Sequence, residues 1–284
     1  MRGSLEGTMR QGAAPAASAI LPLARKLPDP PVTDEHHPTP ADSSAERPPP
    51  PVDKSGSRVR RMFGEIAGRY DLLNRLLSLS LDRRWRRRTV GRVPPGAGPV
   101  LDVCTGTADL ALAYCRAGGP GVRVVGADFC RPMLAVARRK AGRLPPDRRP
   151  TLVEADAGRL PFADDAFEVV SVAFGLRNVS DTDRGLREMV RVCRPGGRVA
   201  VLEFGLPEAR PLRALYGWYF RRVLPAVGQG LAPNRQAAYN YLPQSVDEFP
   251  QREALVDRME RAGLSEVRFH AFTFGVALLY VGVK

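Results

Sequence analysis

The chain has 284 residues, which is enough for one well-buried catalytic domain with additions. Hydrophobic residues make up 44% of the chain and charged residues 26%, an ordinary balance for a globular protein, and its apolar runs are too short to cross a bilayer. The net charge of +13 leaves three interpretations open, namely nucleic-acid binding, contact with an anionic membrane surface, or a solvated basic helix face.

The basic residues are concentrated near the start of the predicted domain. Eleven arginines lie between Arg58 and Arg92, against only three acidic residues. The four cysteines (Cys104, Cys115, Cys130 and Cys193) lack the close pairs of a zinc site, so we expect reduced, buried thiols and no metal.

The first 55 residues have the composition of a disordered extension. They contain eleven prolines and no sustained apolar periodicity. The segment 1–26 lacks the apolar core that a secretory signal needs, so export is not expected. The sequence therefore predicts a Pro-rich extension over 1–55 and one catalytic domain over 56–284.

The catalytic domain is predicted to begin with one or two helices. Apolar residues recur there every three to four positions, at Met62, Phe63, Ile66, Tyr70, Leu73 and Leu77. A break at 94–98 then precedes a short apolar run typical of a buried parallel strand.

Strands and helices then alternate along the chain. Strands are predicted at 100–104, 122–128, 151–154, 169–173 and 199–204, and helices from about 107, at 132–142 and at 183–192, with a turn at 194–197. Residues 207–248 depart from this rhythm and are predicted to form an inserted helical cap, before a helix at 253–262 and strands at 267–272 and 276–282. The pattern predicts an α/β fold with a doubly wound, mostly parallel, seven-stranded sheet.

The strongest local signal follows the first strand, in the run Asp102-Val103-Cys104-Thr105-Gly106-Thr107-Ala108-Asp109. In doubly wound sheets, ligands bind at the carboxyl ends of strands where the strand order reverses. Small residues at Gly106 and Ala108 let the backbone approach a ligand closely. Thr107 offers a hydroxyl and its backbone to the amino-acid end of such a ligand.

Acidic residues end the next two strands. Asp128 can accept hydrogen bonds from both ribose hydroxyls of an adenosine cofactor, and Asp156-Ala157 is placed to meet the adenine. Taken singly, the glycine turn can simply permit a turn and Asp128 can cap a helix. Together the three elements predict a cofactor site, and the missing third glycine with Asp102 inside the strand favours S-adenosylmethionine over a nicotinamide.

From Val59 to Lys284 the chain resembles the ubiquinone/menaquinone biosynthesis C-methyltransferases. The resemblance rests on Arg69-Tyr70-Asp71-Leu72-Leu73-Asn74, Leu81-Asp82-Arg83-Arg84-Trp85-Arg86, Leu160-Pro161-Phe162, Phe174-Gly175-Leu176-Arg177-Asn178-Val179, Arg194-Pro195-Gly196-Gly197 and Leu202-Glu203-Phe204. It implies the class I methyltransferase fold, a donor site at Thr107, Asp128, Asp156 and Ala157, and a cytoplasmic enzyme that acts on a lipid substrate.

Three positions depart from the family pattern. Ala108 stands where the family usually has Gly, so the turn must tolerate a Cβ. Ala173 stands where some members have a cofactor-contacting Ser, and Tyr280 replaces a commonly seen His. We nevertheless count Ala173, with Asp102 and Gly106, among the residues expected at the cofactor.

The expected reaction is methylation of a ring carbon of a prenylated quinol, in which the enzyme mainly orients the reactants in a dry pocket. Arg177 and Asn178 are the candidates to hold or polarise the ring oxygens, and Tyr70 to relay a proton. Arg177 could instead form a structural ion pair, and Tyr70 could simply belong to the core. His270 is the only imidazole base outside the extension, but nothing else in the sequence supports that role.

Several alternatives stay open. The acceptor could be a demethylmenaquinol, a benzoquinol precursor of ubiquinone or a plant-type naphthoquinol. Of these, the stretch 238–243 favours demethylmenaquinol. The apolar stripe of the cap could line a groove for the prenyl tail, rest on a bilayer, or cover the sheet. The partners expected are therefore the quinol, the inner membrane surface and a second copy in a homodimer.

Two rival functions remain. An RNA or DNA methyltransferase would suit the charge, but the Asn/Asp-Pro-Pro-aromatic run of such enzymes is absent at 174–178, so no nucleic acid is expected. A non-catalytic scaffold is opposed by the intact acids at the strand ends.

Overall fold

A computed structural model describes residues 53–219, 222 and 236–284 of the chain, all within the unit Pro50–Lys284. The predicted disordered extension lies outside the described residues as far as residue 52, as does the middle of the predicted cap. No helix of the described part is long and apolar enough to span a membrane.

Three helices precede the sheet, where one or two were predicted. They are α1 (Gly56–Ile66), α2 (Tyr70–Leu77) and α3 (Leu81–Arg92). The chain turns between α2 and α3 because Leu79 and Ser80 adopt left-handed backbone angles, with φ of 50° and 62°. Neither residue type favours that region, so the apolar periodicity gave no sign of the break.

The alternating part of the chain forms the predicted strands and helices with small shifts at their ends. The elements are β1 (Val100–Val103), α4 (Asp109–Gly118), β2 (Val124–Asp128), α5 (Arg131–Ala141), β3 (Thr151–Glu154), β4 (Phe167–Ala173), α6 (Thr182–Val192) and β5 (Cys193–Phe204). Strand β5 begins six residues earlier than predicted because Cys193 already pairs with Phe167 of β4. The Pro-Gly-Gly segment is then passed over by a register shift, and regular pairing resumes at Val169 and Arg198.

The last part of the chain contains two helices of the cap region and the end of the sheet. These elements are α7 (Arg210–Trp218), α8 (Gln236–Asp247), α9 (Glu253–Arg261), β6 (Ser265–Phe272) and β7 (Ala277–Val283). Short 3₁₀ turns lie at Pro146–Arg148, Leu176–Asn178 and Thr273–Gly275.

The seven strands form one sheet in the order β3-β2-β1-β4-β5-β7-β6. Strands β1 to β5 are parallel, and β7 runs antiparallel between β5 and β6. One apolar cluster joins the sheet to α6 and α9, and a second joins it to α3, α4 and α5. The doubly wound, mostly parallel sheet is therefore confirmed, and its order reverses between β1 and β4, where such sheets bind ligands.

Candidate active site

The turn after β1 is held in a tight, left-handed backbone path. Cys104, Gly106 and Ala108 have φ of 51°, 55° and 66°. An L residue in this region carries a backbone cost of about 1–2 kcal/mol, so Cys104 and Ala108 are strained where Gly106 is not. Ala108 is fully buried, so the turn does accommodate the Cβ that sets this chain apart from the family pattern.

Asp102 supports this turn from inside the sheet. Its carboxylate accepts hydrogen bonds from the Thr105 hydroxyl at 2.6 Å, the Ala111 amide at 3.1 Å and the Ser171 hydroxyl at 3.3 Å. Burial raises the pKa of Asp102 to about 7. Asp102 therefore shapes the turn and does not line the cavity beyond it.

Asp128 joins the ends of β1 and β2. One carboxylate oxygen accepts the amide hydrogen of Gly106 at 2.8 Å, and the other accepts that of Cys130 at 2.8 Å. Burial raises the pKa of Asp128, and these two amide hydrogen bonds oppose the rise. The carboxylate is thus fixed in place, with lone pairs still available to a ligand.

A cavity of about 280 Å³, the first cavity, lies at these strand ends. Five of the predicted cofactor residues line it, namely Gly106, Asp128, Asp156, Ala157 and Ala173. Asp156 accepts the amide hydrogen of Gly158 at 2.8 Å, which fixes its carboxylate. Ala173 brings no polar group to the lining.

Helix α1 also lines the first cavity, a role that its sequence pattern did not reveal. Gly56, Ser57, Val59 and Arg60 contribute to the lining. The Arg60 guanidinium lies 5.2 Å from the centre of the Phe129 ring, which follows Asp128. An amphipathic pattern shows that one helix face is covered, but it does not show by what.

Thr107 lies beside the first cavity and does not line it. Its hydroxyl donates to the Asp71 carboxylate at 2.6 Å and accepts from the Lys140 ammonium at 3.0 Å. Lys140 also pairs with Asp71, at 2.7 Å, and with Asp109. The cluster of Asp71, Thr107, Asp109 and Lys140, the lysine cluster, therefore ties α2 and α5 to the turn.

A second cavity, of about 70 Å³, shares Phe63, Tyr70 and Phe174 with the first. Tyr70 packs edge-on against Phe63, with ring centres 6.0 Å apart. Burial raises the pKa of Tyr70, and a hydrogen bond with Asn74 partly opposes this. The Tyr70 side chain therefore stands at the boundary of both cavities as a neutral phenol.

Arg177 lines the second cavity and Asn178 the first. Arg177 donates to the Phe174 carbonyl at 2.6 Å and pairs with the buried Glu203 at 2.8 Å, so the structural ion pair exists. Yet the Nε atom of Arg177 and the Oδ1 atom of Asn178 are buried without a hydrogen-bond partner among the described residues. The Nε atom can therefore still donate a hydrogen bond to a ligand, and the Oδ1 atom can still accept one.

The histidine candidate and the position that departs from the family's His both lie elsewhere. His270 contacts the Arg92 guanidinium at 3.0 Å and lines neither cavity, and burial lowers its pKa. The Tyr280 hydroxyl accepts the Arg252 amide hydrogen at 2.6 Å, also away from both cavities. The departure from His at position 280 therefore leaves the lining of both cavities unchanged.

Comparison with known proteins identifies the family. A model of the ubiE/COQ5 methyltransferase family matches residues 52–284. The chain is 46% identical over 234 residues to the ubiquinone/menaquinone biosynthesis C-methyltransferase UbiE of Geobacter sulfurreducens, covering 82% of this chain and 91% of that protein. It is 52% identical over 222 residues to the demethylmenaquinone methyltransferase of Thermus thermophilus, covering 78% of this chain and 99% of that protein.

A solved structure agrees with the fold. A SAM-dependent methyltransferase of Thermotoga maritima superimposes with a TM-score of 0.54 at 17% identity, covering 80% of this chain and 99% of that one. Family and fold confirm the predicted methyltransferase and imply S-adenosylmethionine as the methyl donor. The chain belongs to the ubiE/COQ5 methyltransferase family.

Proposed function

We propose that the protein transfers the methyl group of S-adenosylmethionine to a ring carbon of a prenylated quinol, with demethylmenaquinol as the preferred acceptor. The observation that carries the proposal is the pair of adjoining cavities, one lined by strand-end acids and the other by aromatic rings and arginine. The acceptor is suggested by the names of the relatives from Geobacter and Thermus.

The first cavity fits the donor. Asp128 would hold the ribose hydroxyls, Asp156 and Ala157 the adenine, and the turn at Gly106 and Thr107 the amino-acid end. A fixed carboxylate in the lining and a left-handed turn with glycine at its centre suit such a donor. Since the Thr107 hydroxyl is already engaged, its contribution would come from its backbone.

The second cavity suits an aromatic acceptor. When bound, S-adenosylmethionine supplies an electrophilic methyl group on a sulfonium. A ring carbon of the quinol would take that methyl group, so that a carbon–carbon bond forms as the carbon–sulfur bond breaks. S-adenosylhomocysteine would leave, and the displaced ring proton would pass to solvent. Arg177 Nε could donate to one ring oxygen in the second cavity, and Asn178 Oδ1, in the lining of the first, could accept the hydrogen of a quinol hydroxyl that faces the donor.

Proton movement would involve Tyr70. Its raised pKa keeps the phenol protonated near neutral pH, so it acts as a donor or relay and not as a phenolate base. Its side chain lines both cavities, so it would lie beside both the donor and the acceptor.

Peripheral contact with the inner membrane surface is a further part of the proposal. Leu72 and Leu76 on α2 are 50% and 40% exposed, and Leu79 beyond it is 74% exposed. Exposed arginines flank them, including Arg75 and Arg84. Apolar and cationic side chains together favour an anionic lipid surface.

Sedimentation with phosphatidylglycerol vesicles should fall for Leu76→Glu, and equal sedimentation of both forms would refute the contact. The predicted homodimer can be tested by the elution volume of the full chain.

The test of the reaction is transfer of labelled methyl from S-adenosylmethionine to detergent-solubilised demethylmenaquinol and, separately, to a demethylated benzoquinol. We expect label in the naphthoquinol, and its loss in Asp128→Ala. If the protein prefers the benzoquinol, its acceptor is a precursor of the ubiquinone type and not demethylmenaquinol. Donor binding without transfer to either quinol would contradict the proposal.

A further inference from the structure

A second buried arginine, Arg86, lines the second cavity together with Arg177. It lies on α3, is 6% exposed and lines that cavity. Its guanidinium pairs with Asp82 at 2.6 Å, and Asp82 in turn accepts the Ser78 hydroxyl at 2.9 Å. The Nε atom of Arg86 is buried without a hydrogen-bond partner among the described residues.

Both arginines lie over aromatic rings of one stack. The Arg86 guanidinium lies 5.2 Å from the centre of the Phe174 ring, and that of Arg177 lies 5.2 Å from the centre of the Phe204 ring. The two rings have centres 4.4 Å apart and are tilted by 34°. One cavity wall is therefore a pair of phenylalanine rings with a guanidinium over each ring.

This arrangement favours a ligand with two oxygens. A buried donor without a partner is costly, and most buried side-chain polar atoms have at least one hydrogen-bond partner. Each arginine already has a carboxylate partner, Asp82 or Glu203, so charge pairing is complete, and both Nε donors are left over among the described residues. Two left-over donors on an aromatic wall match a flat ring that carries an acceptor oxygen at each end.

We propose that Arg86 binds one of the two ring oxygens of a hydroquinone acceptor while Arg177 binds the other. The inference rests on the proposed function. It adds a further substrate-binding residue and a preference for aromatic diols over monophenols. An aromatic diol is held at both ends, whereas a monophenol is held at one end only. A site built to hydrogen-bond a hydroxyl discriminates strongly against the analogue that lacks it.

The test compares 1,4-dihydroxynaphthalene with 1-naphthol as competitive inhibitors of methyl transfer to demethylmenaquinol under anaerobic conditions. We expect the unmodified protein to bind the diol at least about tenfold more tightly than the monophenol. The variant is Asp82→Asn with Arg86→Met, which removes the guanidinium and leaves no unpaired buried carboxylate. In it the preference should fall to about twofold or less, with the affinity for S-adenosylmethionine unchanged.

Controls separate this role from a structural one. Asp82→Asn alone keeps the guanidinium and should keep the preference for the diol, whereas Arg87→Met changes an exposed arginine of α3 and should alter nothing. Retention of the preference in the double variant, or its loss in Asp82→Asn alone, would overturn the role of Arg86 while leaving the proposed function intact. Absence of methyl transfer to any quinol by the unmodified protein would instead overturn the proposed function.

Discussion

The carboxylate of Asp128 accepts the amide hydrogen of Gly106 at 2.8 Å, across 22 residues of sequence. This bond joins the acid at the end of β2 to the left-handed turn after β1. It fixes both groups at the edge of the first cavity, where the adenosyl donor is proposed to bind. Disturbing it should therefore affect donor affinity before anything else.

Asp128→Asn is expected to weaken S-adenosylmethionine binding by at least about tenfold, since one of its two amide partners would then face an amide NH₂ in place of an oxygen. Isothermal titration calorimetry measures the change. Glu154→Gln is the matched control because Glu154 ends the neighbouring strand and forms an exposed ion pair with Arg131. Equal loss in both variants would show that Asp128 has no special role.

Lys140→Met should weaken the connection between α2 and the turn, of which the hydrogen bond from Thr107 to Asp71 would remain. It leaves the carboxylates of Asp71 and Asp109 without their shared cation in a partly buried position. We expect a loss of about 1–2 kcal/mol in the free energy of unfolding and a higher KM for S-adenosylmethionine. Arg139→Met, an exposed neighbour on α5, serves as the control. Urea unfolding and steady-state kinetics give the two quantities, and an unchanged KM would separate the lysine cluster from donor binding.

Asp102 should make folding depend on pH. Its pKa is raised from 3.8 to about 7 in the folded protein, so between these values the folded state holds a proton that the unfolded state releases. The free energy of unfolding therefore falls as the pH rises from about 4 to 7, because the folded protein must give up this proton.

Asp102→Asn should remove this component. The amide can accept from Thr105 and donate to Ser171, which occupy the two sides of the native carboxylate. Above pH 7 the variant should gain up to a few kcal/mol relative to the unmodified protein, and the gain should vanish near pH 4. Thermal melts across this range measure the difference, and a gain that does not change with pH would rule out titration of Asp102.

Tyr70→Phe should lower kcat by about a hundredfold and leave both KM values nearly unchanged, because the ring remains between the cavities and only the hydroxyl is lost. Tyr280→Phe is the control, since that hydroxyl accepts a backbone hydrogen away from both cavities and should affect stability alone. A kcat within twofold of the unmodified protein would leave Tyr70 as a packing residue.

The ends of β1 and β2 were predictable because each is a short apolar run closed by polar or small residues, which place Gly106 and Asp128 at the same sheet edge. The contact between Asp71 and Lys140 was not, since 69 residues separate them and each looks like an ordinary surface charge.

The buried and exposed members of the eleven arginines between Arg58 and Arg92 could not be told apart from the sequence either. Periodicity indicates a helix face but not what covers it, so nothing in the sequence separates the buried Arg86 from the exposed Arg87. The turn between α2 and α3 was missed because Leu79 and Ser80 carry no glycine or proline signal.

The measurement that tests the central claim most directly is ¹³C NMR of the product formed from demethylmenaquinol and S-adenosylmethionine carrying a ¹³C methyl group. The proposal predicts one enriched signal in the range of methyl carbons attached to an aromatic ring, absent with Asp128→Ala. An enriched signal in the range of methoxy carbons would show oxygen methylation, and no enriched product would show that the quinol is not the substrate; either result would contradict the proposed reaction.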